Sequence, residues 1–259
     1  MDKVAETGLS VLQLDLTPFI DGAMELPTML SVLEAAGITV VSTMMTTLGE
    51  DYSSLESIRR TGGLVPDCHW DENHSRWIRA LELTMSFGAS LITFHGGFLP
   101  SDPDDSAYRT LGERIATFAE DAQVRGLRVG LETGQEKATH LLEFLGRLDA
   151  PNLGINFDPA NMILYGMGEP GHAFRILSEK TLQMHVKDAL PSAEPGIWGE
   201  EVRVGDGAVD WDEVFEIWRR CRRPCDLLIE REAGDDRIRD IVHARDFVRK
   251  RRPANGTSS

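Results

Sequence analysis

Little in this chain is suited to stapling it covalently or seating it in a bilayer. Of its 259 residues only three are cysteine, Cys68, Cys221 and Cys225. They lack the even count and regular spacing of a disulfide framework, so a reducing cytoplasm is the expected setting. Cys221 and Cys225 flank Arg222, Arg223 and Pro224 with no second Cys/His pair nearby, which disfavours a zinc knuckle. No apolar run approaches the roughly 20 residues that span a bilayer. The N-terminus mixes acidic and basic residues and lacks the positive flank and apolar core of a secretion signal. Positive charge is scarce as well: 27 Lys and Arg stand against 42 Asp and Glu, a formal net charge of -15. That balance argues against a general surface for nucleic acid or for an anionic membrane. The basic run Arg245, Arg249, Lys250, Arg251 and Arg252 reads as a solvated helix face.

What the chain does have is a steady alternation of strand and helix. Residues 11–16 place Leu12, Leu14 and Leu16 on one side of a strand, and Pro18 ends it. Residues 25–36 carry apolar side chains at helical spacing and stop at Gly37. The pattern then repeats. Strands are expected at 38–43, 64–68, 90–95, 127–132, 153–158, 181–186 and 226–230, with helices between them and a closing helix at 235–250. The strand at 64–68 is the weakest of the set. Eight alternations in a chain of this length favour an α/β fold with a single (β/α)8 TIM barrel, a unit that commonly takes about 250 residues. One domain is expected over 1–252, followed by a small polar tail, 253–259, that frays. The longest irregular stretch, 191–207, is rich in Pro and Gly, and a loop of that length inside a compact domain is usually functional.

Four of the expected strands end on a side chain able to bind a cation: Glu132, Asp158, His185 and Glu230. In a parallel barrel all strands point their C-terminal ends at one rim, so these four converge. A charged group at the end of a buried strand is costly unless something pairs with it. Three carboxylates and one imidazole form a ligand set for a hard divalent ion, Mn²⁺ or Mg²⁺, with Co²⁺ and Zn²⁺ also compatible. Each residue alone has a plainer reading: a strand-end carboxylate can cap the next helix or pair with a lysine, and a lone histidine is often a hydrogen-bonded core residue. The joint placement is what favours a metal.

Several neighbours are candidates for substrate contact. His95 ends its strand beside Gly96 and Gly97, where a ligand can approach the backbone. Asn161 lies three residues past Asp158 and can orient a hydroxyl. Lys187 and Asp188 follow His185 and can pair with each other or with the metal carboxylates. Arg203, on the long loop near Gly205, Asp206 and Gly207, can bind an oxyanion. Trp198, on the same loop, can roof a pocket.

At these residues the chain resembles the xylose isomerase-like TIM-barrel superfamily, in particular its sugar (phosphate) isomerase/epimerase branch. The motifs are Gly130, Leu131, Glu132, Thr133; Asn156 to Asn161; Met184, His185, Val186, Lys187, Asp188; Gly205, Asp206, Gly207 with Asp210 and Trp211; and Ile229, Glu230, Arg231, Glu232. The resemblance implies that Glu132, Asp158, His185 and Glu230 bind Mn²⁺ or a similar ion, with Glu132 and Glu230 also moving the proton. It implies a carbohydrate substrate handled through a metal-bound enediolate, by α-proton abstraction. The chain departs from ketose 3-epimerases in carrying Asn161 where they carry a histidine and Ala138 where they carry a glutamate, so its sugar contacts differ from theirs. Two alternatives remain open. One is a lyase-type deglycosidase subunit acting on 3-keto glycosides, and the other is an endonuclease IV-like repair enzyme with further ligands such as His69 or His95. A homodimer is compatible with the fold, as is a hetero-subunit for a deglycosidase.

Overall fold

The computed structural model describes residues 2–194, 196–222 and 224–251. The expected tail at 253–259 lies outside the described residues. Seven parallel strands form the sheet. The first six are β1 (Val11–Asp15), β2 (Thr39–Met44), β3 (Leu91–Phe94), β4 (Arg128–Glu132), β5 (Leu153–Phe157) and β6 (Thr181–Val186). After a short ribbon of β7 (Asp188–Leu190) and β8 (Glu200–Val202), the seventh is β9 (Asp226–Ile229). They are hydrogen-bonded in the order β1-β2-β3-β4-β5-β6-β9. This is an α/β TIM barrel whose parallel sheet is nearly closed. The central strands β3 and β5 are buried along their whole length, as a parallel sheet covered on both faces requires.

One expected strand does not form. Periodicity puts residues 64–68 between β2 and β3, yet β2 pairs directly with β3 through Thr43 with Ile92 and Met44 with Thr93. The local chemistry explains this. Gly63 takes a left-handed φ of 62° and sits so close to the next turn that a Cβ there would lie 2.3 Å from the Gly96 carbonyl carbon. The Arg114 guanidinium then donates to the carbonyls of Leu64 and Val65 at 2.8 and 3.1 Å, occupying groups a ladder would need. Pro66 follows, and Asp67–His69 closes as a 3₁₀ turn. Only the Leu64 N–H to Gly96 O contact, 3.1 Å, remains of sheet-like bonding there.

The second gap lies between the first and last strands. Among the described residues no ladder joins β1 to β9, and a cleft of about 360 Å³ runs between them, lined by Val11, Leu12, Gln13, Leu227, Ile238 and Ile241 among others and reaching His185 and Glu230. Elsewhere helices cover the sheet closely. Trp77, on the helix Trp70–Ser86, stacks on Phe118 with ring centroids 4.5 Å apart and donates its indole N–H to the Phe118 carbonyl at 3.1 Å. No described helix is long and apolar enough to cross a membrane.

The stretch after β6 is more ordered than its composition suggests. β7 pairs antiparallel with β8. A single buried carboxylate ties the ribbon down. Asp188 accepts from the backbone N–H groups of Ala189, Gly205 and Val209 at 2.9, 2.8 and 3.2 Å, and from the Trp211 indole at 2.9 Å. Gly207 must lack a side chain, because a Cβ would fall 2.0 Å from Asp188 Oδ1. Asp188 thus does not pair with Lys187. It clamps the loop that carries Trp198.

Candidate metal centre

Glu132 ends β4, Asp158 and Glu230 stand one residue past β5 and β9, and His185 is the fifth residue of β6. One ligand atom from each lies within 4.8 Å of the other three. His185 Nδ1 is 3.5 Å from Glu132 Oε1, 3.6 Å from Asp158 Oδ2 and 3.3 Å from Glu230 Oε2. The set is buried except for Glu230, which is partly exposed.

The donor atoms are arranged as a cation would need them. Asp158 divides its carboxylate: Oδ1 caps the helix Pro159–Leu164 by accepting the Asn161 N–H at 3.0 Å, while buried Oδ2 has no hydrogen-bond partner. The helix-cap reading of this residue is met by Oδ1, and Oδ2 stays available to a cation. His185 Nδ1 is likewise buried without a hydrogen-bond partner. Two orphaned polar atoms pointing into one cluster of carboxylates are expensive unless a cation completes them.

Protein cations balance part of this charge. Burial works against ionising His185, but Glu230 and Glu132 outweigh it and raise the imidazole well above its ordinary value. Lys187 Nζ donates to Glu230 Oε2 at 2.9 Å and lies 3.7 Å from Asp158 Oδ2. Burial opposes its charge too, yet Glu230 and Asp158 hold it protonated. Glu230 is kept below the usual carboxyl range although burial would raise it, because His185 and Lys187 face it. Glu132 is lowered as well, against its own desolvation, by His95 and His185. A divalent ion seated among these groups would take over the role of the imidazole proton.

Above the cluster opens a chamber of about 450 Å³ whose lining includes Glu50, Tyr52, His95, Asn161, Tyr165, Lys187 and Trp198. Trp198 packs edge-on against Tyr165 with centroids 4.8 Å apart and lies 6.5 Å from Tyr52. Asn161 Nδ2 donates to Glu132 Oε1 at 3.0 Å, and His95 Nε2 is 3.6 Å from the same oxygen. Four of the five candidate contact residues, His95, Asn161, Lys187 and Trp198, are thus brought to the chamber. Arg203 is not. Its guanidinium bonds Asp206 at 2.9 Å, a local i,i+3 pair that leaves it outside the lining.

The sequence pattern gives no sign of Glu50, Tyr52 or Tyr165, which stand in irregular segments or at a helix end. It also passes over the polar layer inside the barrel. There Asn156 Nδ2 donates to Glu132 Oε2 at 3.2 Å, Gln183 Nε2 to Asn156 Oδ1 at 3.2 Å, and Gln13 Nε2 to Thr93 Oγ1 at 2.8 Å. A signal does exist: strand alternation that turns Leu12 and Leu14 to the helices turns Gln13 inward.

Fold and site together define a TIM barrel with a buried carboxylate–histidine cluster at the C-terminal ends of its strands. The xylose isomerase-like TIM barrel family profile matches residues 1–251, and the chain belongs to that family. It is similar to a xylose isomerase domain protein from Planctomyces limnophilus, with 31% identity, 96% of this chain and 91% of that one covered, and a TM-score of 0.90. A xylose isomerase-like TIM barrel protein from Mycobacterium smegmatis, solved in complex with magnesium, shares 17% identity over 96% and 85% of the two chains at a TM-score of 0.74. A D-psicose 3-epimerase from Clostridium cellulolyticum H10, solved with D-tagatose, shares 17% over 96% and 91% at 0.69. No curated protein matches the chain in sequence.

Proposed function

We propose that this protein is a divalent-metal-dependent keto-sugar isomerase or epimerase that works by moving a proton on the carbon beside a carbonyl. The observation that carries the reading is the convergence of Glu132, Asp158, His185 and Glu230, with orphaned Asp158 Oδ2 and His185 Nδ1, beneath a chamber walled by aromatic rings. Bound there, Mn²⁺ or Mg²⁺ would supply Lewis acidity that polarises a substrate carbonyl and acidifies the neighbouring C–H. The chain's own groups do the rest. Glu230, kept ionised by His185 and Lys187, takes the proton. In an isomerisation Glu230 can return that proton to the neighbouring carbon; an epimerisation requires Glu132 first to take a proton from solvent and then to give it to the other carbon face. Asn161 and Asn156 orient Glu132, Lys187 holds Glu230, and His95 presents a donor to substrate hydroxyls. Tyr52, Tyr165 and Trp198 offer flat apolar faces to a sugar ring and keep bulk water from it.

The chamber favours an uncharged sugar over its phosphate ester. Among the described residues lining it, Lys187 is the one lysine or arginine, and it is committed to Glu230. Glu50 and Glu232 add negative charge to the lining, whereas Glu201 is paired with Arg231 at 2.8 Å. A phosphate would meet repulsion and no free cation. Incubation of Mn²⁺-loaded protein in D₂O with a panel of ketoses, 3-keto glycosides and their phosphates, followed by NMR, tests the reading. Deuterium entering the α-carbon with formation of an isomer or epimer is expected. Absence of exchange with every sugar refutes the reading, and exchange accompanied by release of an aglycone replaces it with elimination.

A further inference from the structure

We propose that Gln13 is a positioning residue of the metal centre: its side-chain carbonyl fixes the His185 ring so that Nδ1, and not Nε2, faces the three carboxylates. The inference rests on the metal-centre reading above. His185 is fully buried, and its two nitrogens have different surroundings. Nδ1 meets only the carboxylates of the cluster and has no hydrogen-bond partner. Nε2 lies 2.7 Å from Gln13 Oε1 and 3.1 Å from Asn156 Nδ2.

Only one of those two neighbours can receive a proton from the ring. The Asn156 amide is oriented by its own contacts: its nitrogen faces Glu132 Oε2, an acceptor, and its oxygen takes the Gln183 N–H. A nitrogen so placed is a donor and cannot accept from Nε2. Gln13 Oε1 is then the acceptor, and its orientation is set in turn by Gln13 Nε2 donating to Thr93 Oγ1 at 2.8 Å. With Nε2–H committed to Gln13, the Nδ1 lone pair is the one free to ligate.

Gln13 has a second attribute that suits it to this role. It comes from β1, whereas His185 comes from β6, so the bond spans the barrel interior. Both residues also line the cleft between β1 and β9, where among the described residues no ladder holds the strands in register. Gln13 thus closes the inner end of the seam against the ligand ring.

The test is Mn²⁺ affinity of the full chain, read from the electron paramagnetic resonance signal of free Mn²⁺, together with thermal stability of the metal-free protein. Gln13→Met keeps the volume and removes the acceptor. It is expected to bind Mn²⁺ about 10- to 100-fold more weakly, with a lower metal-free melting temperature because the bonds to Thr93 and His185 are lost. Gln13→Glu restores an acceptor and is expected to return affinity to within about threefold of wild type, a rescue that a packing role does not predict. If Gln13→Met binds within twofold of wild type, or if Gln13→Glu binds as weakly as Gln13→Met, the assignment is overturned. Should Gln13→Met not fold, the Gln13→Glu arm decides alone: affinity more than tenfold below wild type rejects the assignment. Wild-type protein that binds no Mn²⁺ is a separate outcome, which removes the metal-centre reading and this inference with it.

Discussion

Glu132 and Glu230 present the same carboxylate to the same cluster from opposite kinds of support. Glu132 ends β4, in the middle of the sheet, paired on both sides. Its side chain is 2% exposed, and the groups that hold it are neutral amides, Asn156 and Asn161. Glu230 follows β9, the last strand before the open seam. Its side chain is 17% exposed and is held by a lysine cation. One carboxylate is therefore fixed by packing and by amide N–H dipoles aimed at both of its oxygens, with His95 and His185 lowering it further. The other is fixed by a permanent charge that favours the anion alone. A donor set that looks symmetric is thereby split between unequal supports, a buried lysine cation on one side and neutral N–H donors on the other.

Breaking either support tests that contrast, and the largest effect is expected at the carboxylates themselves. Glu132→Gln and Glu230→Gln should each lower kcat by roughly 10²–10⁴-fold, with circular dichroism unchanged. Full activity in both would remove the acid/base assignment.

Lys187→Met comes next, because it leaves Glu230 and Asp158 without their cation. The metal-free variant should lose about 3–5 kcal/mol of stability, the usual cost of breaking a buried pair, and regain part of it when Mn²⁺ is added. Denaturant unfolding with and without the ion measures both numbers. A matching Asn161→Ala change on the Glu132 side should cost less, on the order of 1–3 kcal/mol, since it removes one neutral donor.

A third effect is set by pH. Burial raises the Glu136 carboxyl, in the turn after β4, to about 8, so the folded protein binds a proton there that the unfolded chain has already released. Stability from this group is intact below its unfolded value near 4.5, falls as pH rises toward 8, and stays lost above it. Glu136→Gln should therefore match the wild-type stability at pH 4.5 and exceed it at pH 8.5, by a few kcal/mol at most, as read from denaturant unfolding at the two pH values. Arg203→Ala is expected to change least: KM for a neutral sugar should move less than about twofold, because the guanidinium is spent on exposed Asp206.

Strand periodicity exposes one part of this design and hides another. Glu132, Asp158, His185 and Glu230 are legible because each terminates a β-rich run, and a parallel barrel sends all such ends to one rim. The strand expected at 64–68 fails for a reason that periodicity does not encode. Its carbonyls are taken by Arg114, distant in sequence, and its entry is bent by Gly63 against Gly96 and Gly97. Arg203 looks like a site residue because its loop reaches the site, but a loop charge turns to the nearest counter-charge, here three residues away. Asp188 looks like a salt-bridge partner, whereas it gathers backbone N–H groups and one indole from a ribbon that residue patterns present as irregular. Gln13 is hidden for the opposite reason. A lone amide in a leucine-rich strand draws no attention until the barrel is known to have a polar interior.

Anomalous diffraction at the manganese edge, from crystals grown with MnCl₂, bears most directly on the claim that four side chains share one cation. A single peak bonded to Glu132, Asp158, Glu230 and His185 Nδ1 is the predicted result. Density elsewhere on the chain, or an empty cluster in protein shown to bind the ion in solution, would contradict it.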